Sequence, residues 1–256
     1  MRTWVYIDGF NLYYAIRESG CKWLNVKALA EAAMPAGTVT IDKVKYYTAR
    51  VSGASDPDQP RRQQIYFNAL KTVPEVELFF GQFLAKAVWR PVLNLPIGDR
   101  VVSNGNEQAM LPPGQYAVAH DPAINGNQPE SLTVGKYGKG NKARPPTTDA
   151  LKAQVHVMEE KGSDVNLACH LIHDGWAGRY DGAVVISNDT DLVEPIRIVV
   201  QELKKPVTLL SPSSFGASKP LAAVASSVRH IHAAHLKASV FPDTIPDTAI
   251  VKPVSW

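Results

Sequence analysis

The stretch from Gly182 to Leu192 constrains the fold more than any other part of the chain. Its apolar and mostly β-branched start, Gly-Ala-Val-Val-Ile, predicts a short strand buried on both faces of a parallel sheet. Polar residues follow at once, and Ile196 and Val199 then stand at helical spacing. The sequence therefore predicts an α/β protein in which Asp189 and Asp191 lie at the carboxyl end of a central strand. Open α/β sheets bind their ligands at that edge.

A second strand of the same kind stands near the amino terminus. Residues Thr3 to Ile7 form another apolar run, and Asp8-Gly9-Phe10-Asn11 follows it directly. Gly9 permits a tight turn between the strand and the next helix. If both strands belong to one parallel sheet, Asp8 and Asn11 lie at the same edge as Asp189.

A third acid is expected to reach this edge from a helix. Ser163 is a good N-cap residue, and Asp164 in the first turn suits the positive end of the helix dipole. Asp164 lies one turn before Leu167 and Ala168, which are predicted to face the core. A helix that runs back along a parallel sheet begins near the carboxyl ends of the strands. The side chain of Asp164 is therefore expected to point towards Asp8.

Carboxylates that converge in this way repel one another, so they either take up protons or bind a cation. Oxygen ligands without histidine or cysteine favour Mg²⁺ or Mn²⁺ over zinc. Each residue also has a purely structural interpretation. Asp191 can serve as a helix cap, Asp164 as a partner of the helix dipole and Asn11 as a turn residue. Their convergence on one edge favours a metal site.

The middle of the chain differs in composition from its flanks. Between residues 86 and 150, proline, glycine and asparagine are frequent and no long helical stripe appears. This pattern predicts one domain over residues 1–256, with a β-rich insertion at about 86–150 and a C-terminal extension at about 212–256. The insertion carries a basic cluster that could be a substrate-binding arm or only a solvated surface loop. The tail from Phe241, rich in proline and threonine, is expected to pack loosely.

The overall composition narrows the class of protein. The chain has 256 residues, 45% hydrophobic content and a formal net charge of +3, which suit a globular protein and permit an anionic partner. Its two cysteines, Cys21 and Cys169, form neither a metal-binding spacing nor a disulfide framework, which favours the cytoplasm. No apolar stretch is long enough for a membrane span. A homo-oligomer is compatible with the sequence but not required by it.

Three motifs in this order resemble the signatures of NYN domains, which belong to the PIN-like nuclease group. They are Tyr6 to Leu12, Glu160 to Val165 and Ser187 to Leu192, and the resemblance spans most of residues 1–211. It implies a three-layer, Rossmann-like and PIN-like fold with a central, mostly parallel sheet. Some relatives are thought to hold a cysteine-bound metal in an insertion such as this one. The present insertion has no cysteine, so a structural zinc ion is not expected.

The resemblance also implies a function, namely a Mg²⁺- or Mn²⁺-dependent endoribonuclease that hydrolyses single-stranded or structured RNA. By this resemblance Asp8, Asp164 and Asp189 are metal ligands, Asp191 is a fourth acid and Asn11 is a site residue. The RNA contacts expected from the sequence are Ser187, Asn188, Arg50, Arg61, Arg62, Lys136, Lys139, Lys142 and Arg144. The basic residues among them would make binding sensitive to salt.

Other classes of function are less consistent with the motifs. The alternative is a catalytically weak or inactive RNA-binding regulator that keeps the acids for phosphate and metal contacts. A phosphatase of the haloacid dehalogenase type needs a second aspartate where this chain has Phe10. A nucleotide-cofactor enzyme lacks support because no glycine-rich loop follows the first strand. A serine hydrolase lacks support because no Gly-x-Ser-x-Gly motif is present.

Overall fold

The computed structural model describes residues 1–35, 37, 39–53, 56–91, 100–103, 107–110, 152–212 and 216–256. The strands are β1 (Arg2–Asp8), β2 (Thr40–Ala49), β3 (Val76–Pro91), β4 (Arg100–Ser103), β5 (Glu107–Met110), β6 (Lys152–Lys161), β7 (Gly182–Ile186), β8 (Val207–Ser211) and β9 (Ser227–His230). The α-helices are α1 (Gly9–Ile16), α2 (Val26–Ala33), α3 (Gln59–Leu70), α4 (Ser163–Trp176), α5 (Val193–Arg197), α6 (Lys219–Val224) and α7 (Ala233–Ala238). A 3₁₀ turn over Thr190–Leu192 precedes α5, and a π-helical turn over Ile198–Glu202 follows it.

The fold is α/β, with a mostly parallel central sheet. In the described part of the chain this sheet has seven strands in the order β6-β3-β2-β1-β7-β8-β9. The apolar strand β1 lies in the middle, and Ile7 pairs with Tyr46 of β2 on one side and with Ile186 of β7 on the other. The chain runs outwards from β1 through β2 and β3, whereas β7 and β8 lie on the opposite side. The boundary between β1 and β7 is therefore the switch point at which such sheets bind ligands.

Helices cover both faces of the sheet. Successive side chains of β1 point to opposite faces, so each face packs against a different set of helices. Val5 and Ile7 pack with residues of α1, α2 and α3, among them Leu29. Tyr6 packs on the other face with α4 and with the segment around Val199. Apolar residues on two faces explain why the central strands read as continuous apolar runs rather than as alternating patterns.

Contacts within the chain define two compact units. The first contains Met1–Leu84 and Glu160–Trp256, and the second contains Ala85–Glu159. The described residues of the second unit include the antiparallel pair β4–β5, in which Val101 is opposite Ala109. No helix in the described residues is long and apolar enough to cross a membrane.

The C-terminal tail packs more tightly than its composition predicts. Phe241 and Ile245 are buried, and the Trp23 indole nitrogen donates to the Pro242 carbonyl oxygen at 2.9 Å. The ring centroids of Trp23 and Trp256 lie 6.1 Å apart. The expectation of a loose tail is wrong because aromatic anchors, rather than the prolines and threonines, determine how this segment packs.

Candidate metal centre

Three aspartates from distant parts of the chain converge at the switch point. Asp8 ends β1, Asp164 lies in the first turn of α4 and Asp189 follows β7. Each offers a carboxylate oxygen, and these oxygens all lie within 4.8 Å of one another. Asp8 is buried, whereas the other two are partly exposed. Buried strand ends fix two of the acids and a helix start supplies the third, so a ligand can reach the group from solvent.

The backbone and side chains of neighbouring residues orient the carboxylate of Asp8. One oxygen accepts a hydrogen bond from the backbone N–H of Asn11 at 2.9 Å, which caps α1. The other accepts from the Ser187 hydroxyl at 3.0 Å. That hydroxyl in turn accepts from the backbone N–H of Asp189 at 3.1 Å. Ser187 therefore links Asp8 and Asp189 and fixes their positions relative to each other.

The predicted site residues Asn11 and Asn188 also lie at this edge, where they connect loops. The Asn11 side-chain oxygen accepts from the Asn188 backbone N–H at 3.0 Å. The Asn188 side chain donates to the Gly216 carbonyl oxygen at 3.3 Å and accepts from the Ser218 N–H at 2.6 Å. These bonds occupy most of the polar atoms of the Asn188 side chain. Its structural contribution is to fix the segment that follows β8.

Glu160 is a further acid that the sequence argument did not assign to the site. Its carboxylate accepts from the backbone N–H of Ser163 at 3.1 Å and so supports the start of α4. Its negative charge raises the pKa values of Asp8 and Asp164. The N-cap position itself is held by Gly162, at a φ of 96°, and not by Ser163 as predicted. A glutamate three residues before Ser163 was the sequence feature from which this role of Glu160 could have been predicted.

The electrostatics of the group favour a bound cation. Burial, together with the charges of Asp8, Asp189, Glu160 and Asp191, raises the pKa of Asp164 to about 6. Burial also raises the pKa of Asp8, although the hydrogen bonds from Asn11 and Ser187 oppose that change. A divalent ion would remove the repulsion that these shifts reflect. The all-oxygen donor set suits Mg²⁺ or Mn²⁺.

The fourth predicted ligand, Asp191, is not part of the group in which the oxygens lie within 4.8 Å. Its backbone N–H donates to an oxygen of Asp189 at 3.0 Å, and its side chain is exposed. In the described residues Asp191 therefore acts through this turn and through its charge. A ligand role for Asp191 stays a prediction.

The predicted basic contacts are only partly described. The Arg50 guanidinium lies 4.8 Å from the centroid of the Phe80 ring and donates to Gln64 at 2.7 Å. Arg62 forms an ion pair with Asp56. The four residues of the predicted basic cluster lie outside the described residues, namely Lys136, Lys139, Lys142 and Arg144.

A cavity of about 180 Å³ lies next to the acids and includes Gly9, the residue after Asp8. Aromatic side chains form much of its wall, with Tyr46 and Tyr66 on one side and Trp256 from the C-terminal tail. Tyr46 is buried, and burial together with the charge of Asp8 raises the pKa of its hydroxyl. The wall of this cavity therefore lies within electrostatic reach of the acid group.

We expect Gly9→Ala to destabilise the protein by about 1–3 kcal/mol, the usual cost of overpacking. A β-carbon at this position would lie 2.5 Å from the Tyr47 carbonyl oxygen and 2.7 Å from Cζ of Tyr46. Urea denaturation measures the effect. Gly53→Ala is the matched control, because its β-carbon would meet its nearest atom at 3.4 Å. Equal stability of the two variants would contradict the close approach at Gly9.

Comparisons with known proteins add one informative relative. The chain is 26% identical, over 280 aligned positions, to the 6-hydroxy-3-succinoylpyridine 3-monooxygenase of Pseudomonas putida. The alignment covers 100% of this chain and 75% of that protein. A Vibrio parahaemolyticus structure, described as a protein of unknown function, aligns with a TM-score of 0.46 and 16% identity. That alignment covers 90% of this chain and 93% of the other. No protein-family model matches the chain.

The monooxygenase relative overturns the predicted activity. A monooxygenase is an oxidoreductase, whereas the sequence argument predicted a hydrolase that cleaves RNA phosphodiester bonds. The endoribonuclease prediction is therefore wrong, and its alternative, an RNA-binding regulator, gains no support. The physical reason is that converging carboxylates specify a cation and an edge of the sheet, not a reaction. The NYN resemblance and RNA as a partner stay predictions.

Proposed function

We propose that this protein is an oxidoreductase of the monooxygenase class, with Mg²⁺ or Mn²⁺ held by Asp8, Asp164 and Asp189. The observation that carries the proposal is an alignment over the whole chain with a protein named as a monooxygenase. The three carboxylates converge where β1 and β7 end, which supports this edge of the sheet as the site and Mg²⁺ or Mn²⁺ as the cation. A Rossmann-like and PIN-like arrangement of the sheet, as the three motifs imply, is part of the same proposal.

The proposed reaction balances with dioxygen and a two-electron donor of the reduced nicotinamide class. One oxygen atom replaces hydrogen at a substrate carbon, and the other oxygen atom leaves as water. The donor supplies two electrons as hydride, and solvent supplies the remaining proton. A bound cation would supply positive charge that stabilises an anionic oxygen of the substrate. The protein's own residues hold the carboxylates in place through Ser187 and the N–H of Asn11.

The described edge does not resemble a cradle for the phosphates of a flavin or nicotinamide. Such cradles use glycines and free backbone N–H groups at the start of a helix. Here the N–H of Asn11 already donates to Asp8, and a β-carbon at Gly9 would meet protein atoms. We therefore propose that a nicotinamide donor acts as a transient co-substrate and does not bind at the β1–α1 turn.

Oxygen labelling tests the proposal. Purified protein is incubated with Mn²⁺, NADH, ¹⁸O₂ and 6-hydroxy-3-succinoylpyridine, the compound in the relative's name. We expect one ¹⁸O atom in the product, one NADH consumed per product and at least a hundredfold loss of rate in Asp8→Asn. Asp243→Asn is the control because its side chain is 83% exposed and distant in sequence from the motifs. Absence of label with Mn²⁺, with Mg²⁺ and with added flavin would refute the proposal.

A further inference from the structure

We infer that the cavity beside Asp8 binds a planar aromatic carboxylate, which makes it the substrate pocket of the proposed function. The volume of the cavity suits one aromatic ring. A cavity of about 150 Å³ lined by apolar groups can hold benzene, and this one measures about 180 Å³. One substituted six-membered ring therefore fits.

The wall of the cavity selects for a flat and apolar body. Its aromatic residues include Phe10, Tyr13, Tyr46, Tyr66, Phe83 and Trp256. Tyr66 and Trp256 lie close together, with ring centroids 5.1 Å apart. Such rings favour another ring, through offset stacking or edge-to-face contacts, over a saturated body of similar size.

The charges that line the cavity favour an anionic substituent. Among the described lining residues, Lys22 and Arg62 are cationic and none is acidic. The Lys22 ammonium lies 5.9 Å from the centroid of the Trp256 ring, so it stays close to the wall. Arg62 keeps Asp56 as an ion-pair partner, and its side chain is only 20% exposed. Partial burial strengthens the attraction between these cations and a carboxylate.

Trp256 contributes its aromatic ring to the cavity, and not its N–H group. The indole nitrogen is buried, so a ligand in the cavity cannot reach it. The volume of the cavity, its aromatic wall and its two cationic residues therefore agree on one class of ligand, an aromatic or heteroaromatic acid.

Calorimetric titration with 6-hydroxynicotinate tests this inference. The titration contains no divalent cation, no reductant and no turnover. We expect saturable binding that is at least tenfold tighter than the binding of cyclohexanecarboxylate, which has the charge but not the flat ring. We also expect binding at least tenfold tighter than that of 2-hydroxypyridine, which has the ring but no carboxylate.

Two pairs of variants locate the binding. Arg62→Gln should weaken it about tenfold, because the ligand carboxylate loses a charged hydrogen-bond donor. Arg61→Gln, one residue away and not lining the cavity, should not weaken it. Trp256→Leu should weaken it by about threefold to tenfold because an aromatic contact is lost, whereas Trp176→Leu, at a residue that is 76% exposed, should not. Circular dichroism checks that each variant folds.

The outcomes separate this inference from the proposed function on which it rests. No binding at millimolar concentration would overturn the inference. Equal affinity for cyclohexanecarboxylate, or unchanged affinity in both Arg62→Gln and Trp256→Leu, would also overturn it. Binding with the expected pattern but without ¹⁸O transfer would refute the monooxygenase and leave the pocket intact.

Discussion

Replacing Asp174 by alanine is expected to lower the free energy of unfolding by about 3–5 kcal/mol, the usual effect of breaking a buried ion pair. Asp174 lies in α4 and is fully buried. Its carboxylate accepts from the Lys45 ammonium at 2.6 Å, from the Tyr6 hydroxyl at 2.8 Å and from Arg179 at 2.7 Å. Removal of the carboxylate leaves the Lys45 ammonium without its counter-charge in the core.

The surroundings of Lys45 explain why water cannot replace Asp174 easily. Lys45 is 6% exposed, and its ammonium lies 5.2 Å from the Trp4 ring centroid and 5.3 Å from that of Phe79. Aromatic faces attract a cation but compensate for only part of a lost ion pair. Burial alone would raise the pKa of Asp174, but hydrogen bonds from Lys45 and Tyr6 outweigh it and hold that pKa below its usual value. The stabilisation is therefore present above the usual pKa of an aspartate and is lost as pH falls through the lowered one.

Urea denaturation near pH 7 measures the effect, and two controls define its origin. Asp181→Ala removes an exposed partner of Arg2 and should lower the free energy of unfolding far less than Asp174→Ala. In the double variant Lys45→Met/Asp174→Ala, much of the stability lost in Asp174→Ala should return, because no buried charge is then left unpaired. If Asp174→Ala stays within 1 kcal/mol of the parent protein, the ion pair is not the stabilising feature that its burial indicates.

The sequence allowed the acids to be predicted because strand ends and helix starts are local signals. Apolar runs in the sequence indicated β1 and β7. If these strands are parallel neighbours, the residues that follow them lie at the same edge of the sheet. Asp164 followed from the position of a helix start. To predict that Asp8, Asp164 and Asp189 lie together, it was enough to know that the strands are parallel. Their carboxylate oxygens do lie within 4.8 Å of one another.

Features that depend on tertiary packing were not predictable in this way. Nothing local distinguishes Asp174 from a solvated helix residue, since its partners Tyr6 and Lys45 lie on distant strands. Leu221, Val224, Ala225 and Val228 stand at helical spacing, which predicts one helix there. The chain instead forms α6 followed by β9, because Ala225 already has extended backbone. The packing of Trp256 depends on contacts with residues more than a hundred positions away. The reaction class was missed for a different reason, since one set of carboxylates can serve several chemistries.

Addition of Mn²⁺ at pH 7.5 is expected to raise the unfolding temperature by about 5–10 °C. An ion at a hundred times its dissociation constant stabilises the folded state by about 2.7 kcal/mol. For a chain of this size, each kcal/mol shifts the midpoint by roughly 2–4 °C. The ion relieves the repulsion among Asp8, Asp164 and Asp189, which lie within 4.8 Å of one another. Differential scanning calorimetry measures the shift.

The pH dependence of this shift identifies the site. The pKa of Asp164 is raised to about 6, because burial and the neighbouring acids disfavour its charge. Without the ion, the protonated carboxyl group of Asp164 stabilises the folded state. This stabilisation is fully present below the usual aspartate pKa, and it is lost as pH rises through about 6. With the ion, protons compete for the carboxylate, so the Mn²⁺-induced shift should be largest above pH 7 and should shrink between pH 7 and pH 5.

Asparagine variants test whether the three acids bind the ion. Asp164→Asn should reduce the Mn²⁺ shift to below about 2 °C and should remove its dependence on pH near 6. The same variant should be more stable than the parent protein at pH 7.5 without metal, because it carries one charge fewer in the group. Asp191→Asn should keep most of the shift, since Asp191 lies outside the group of close oxygens. A Mn²⁺ shift that persists in both Asp8→Asn and Asp164→Asn would place the ion elsewhere on the protein.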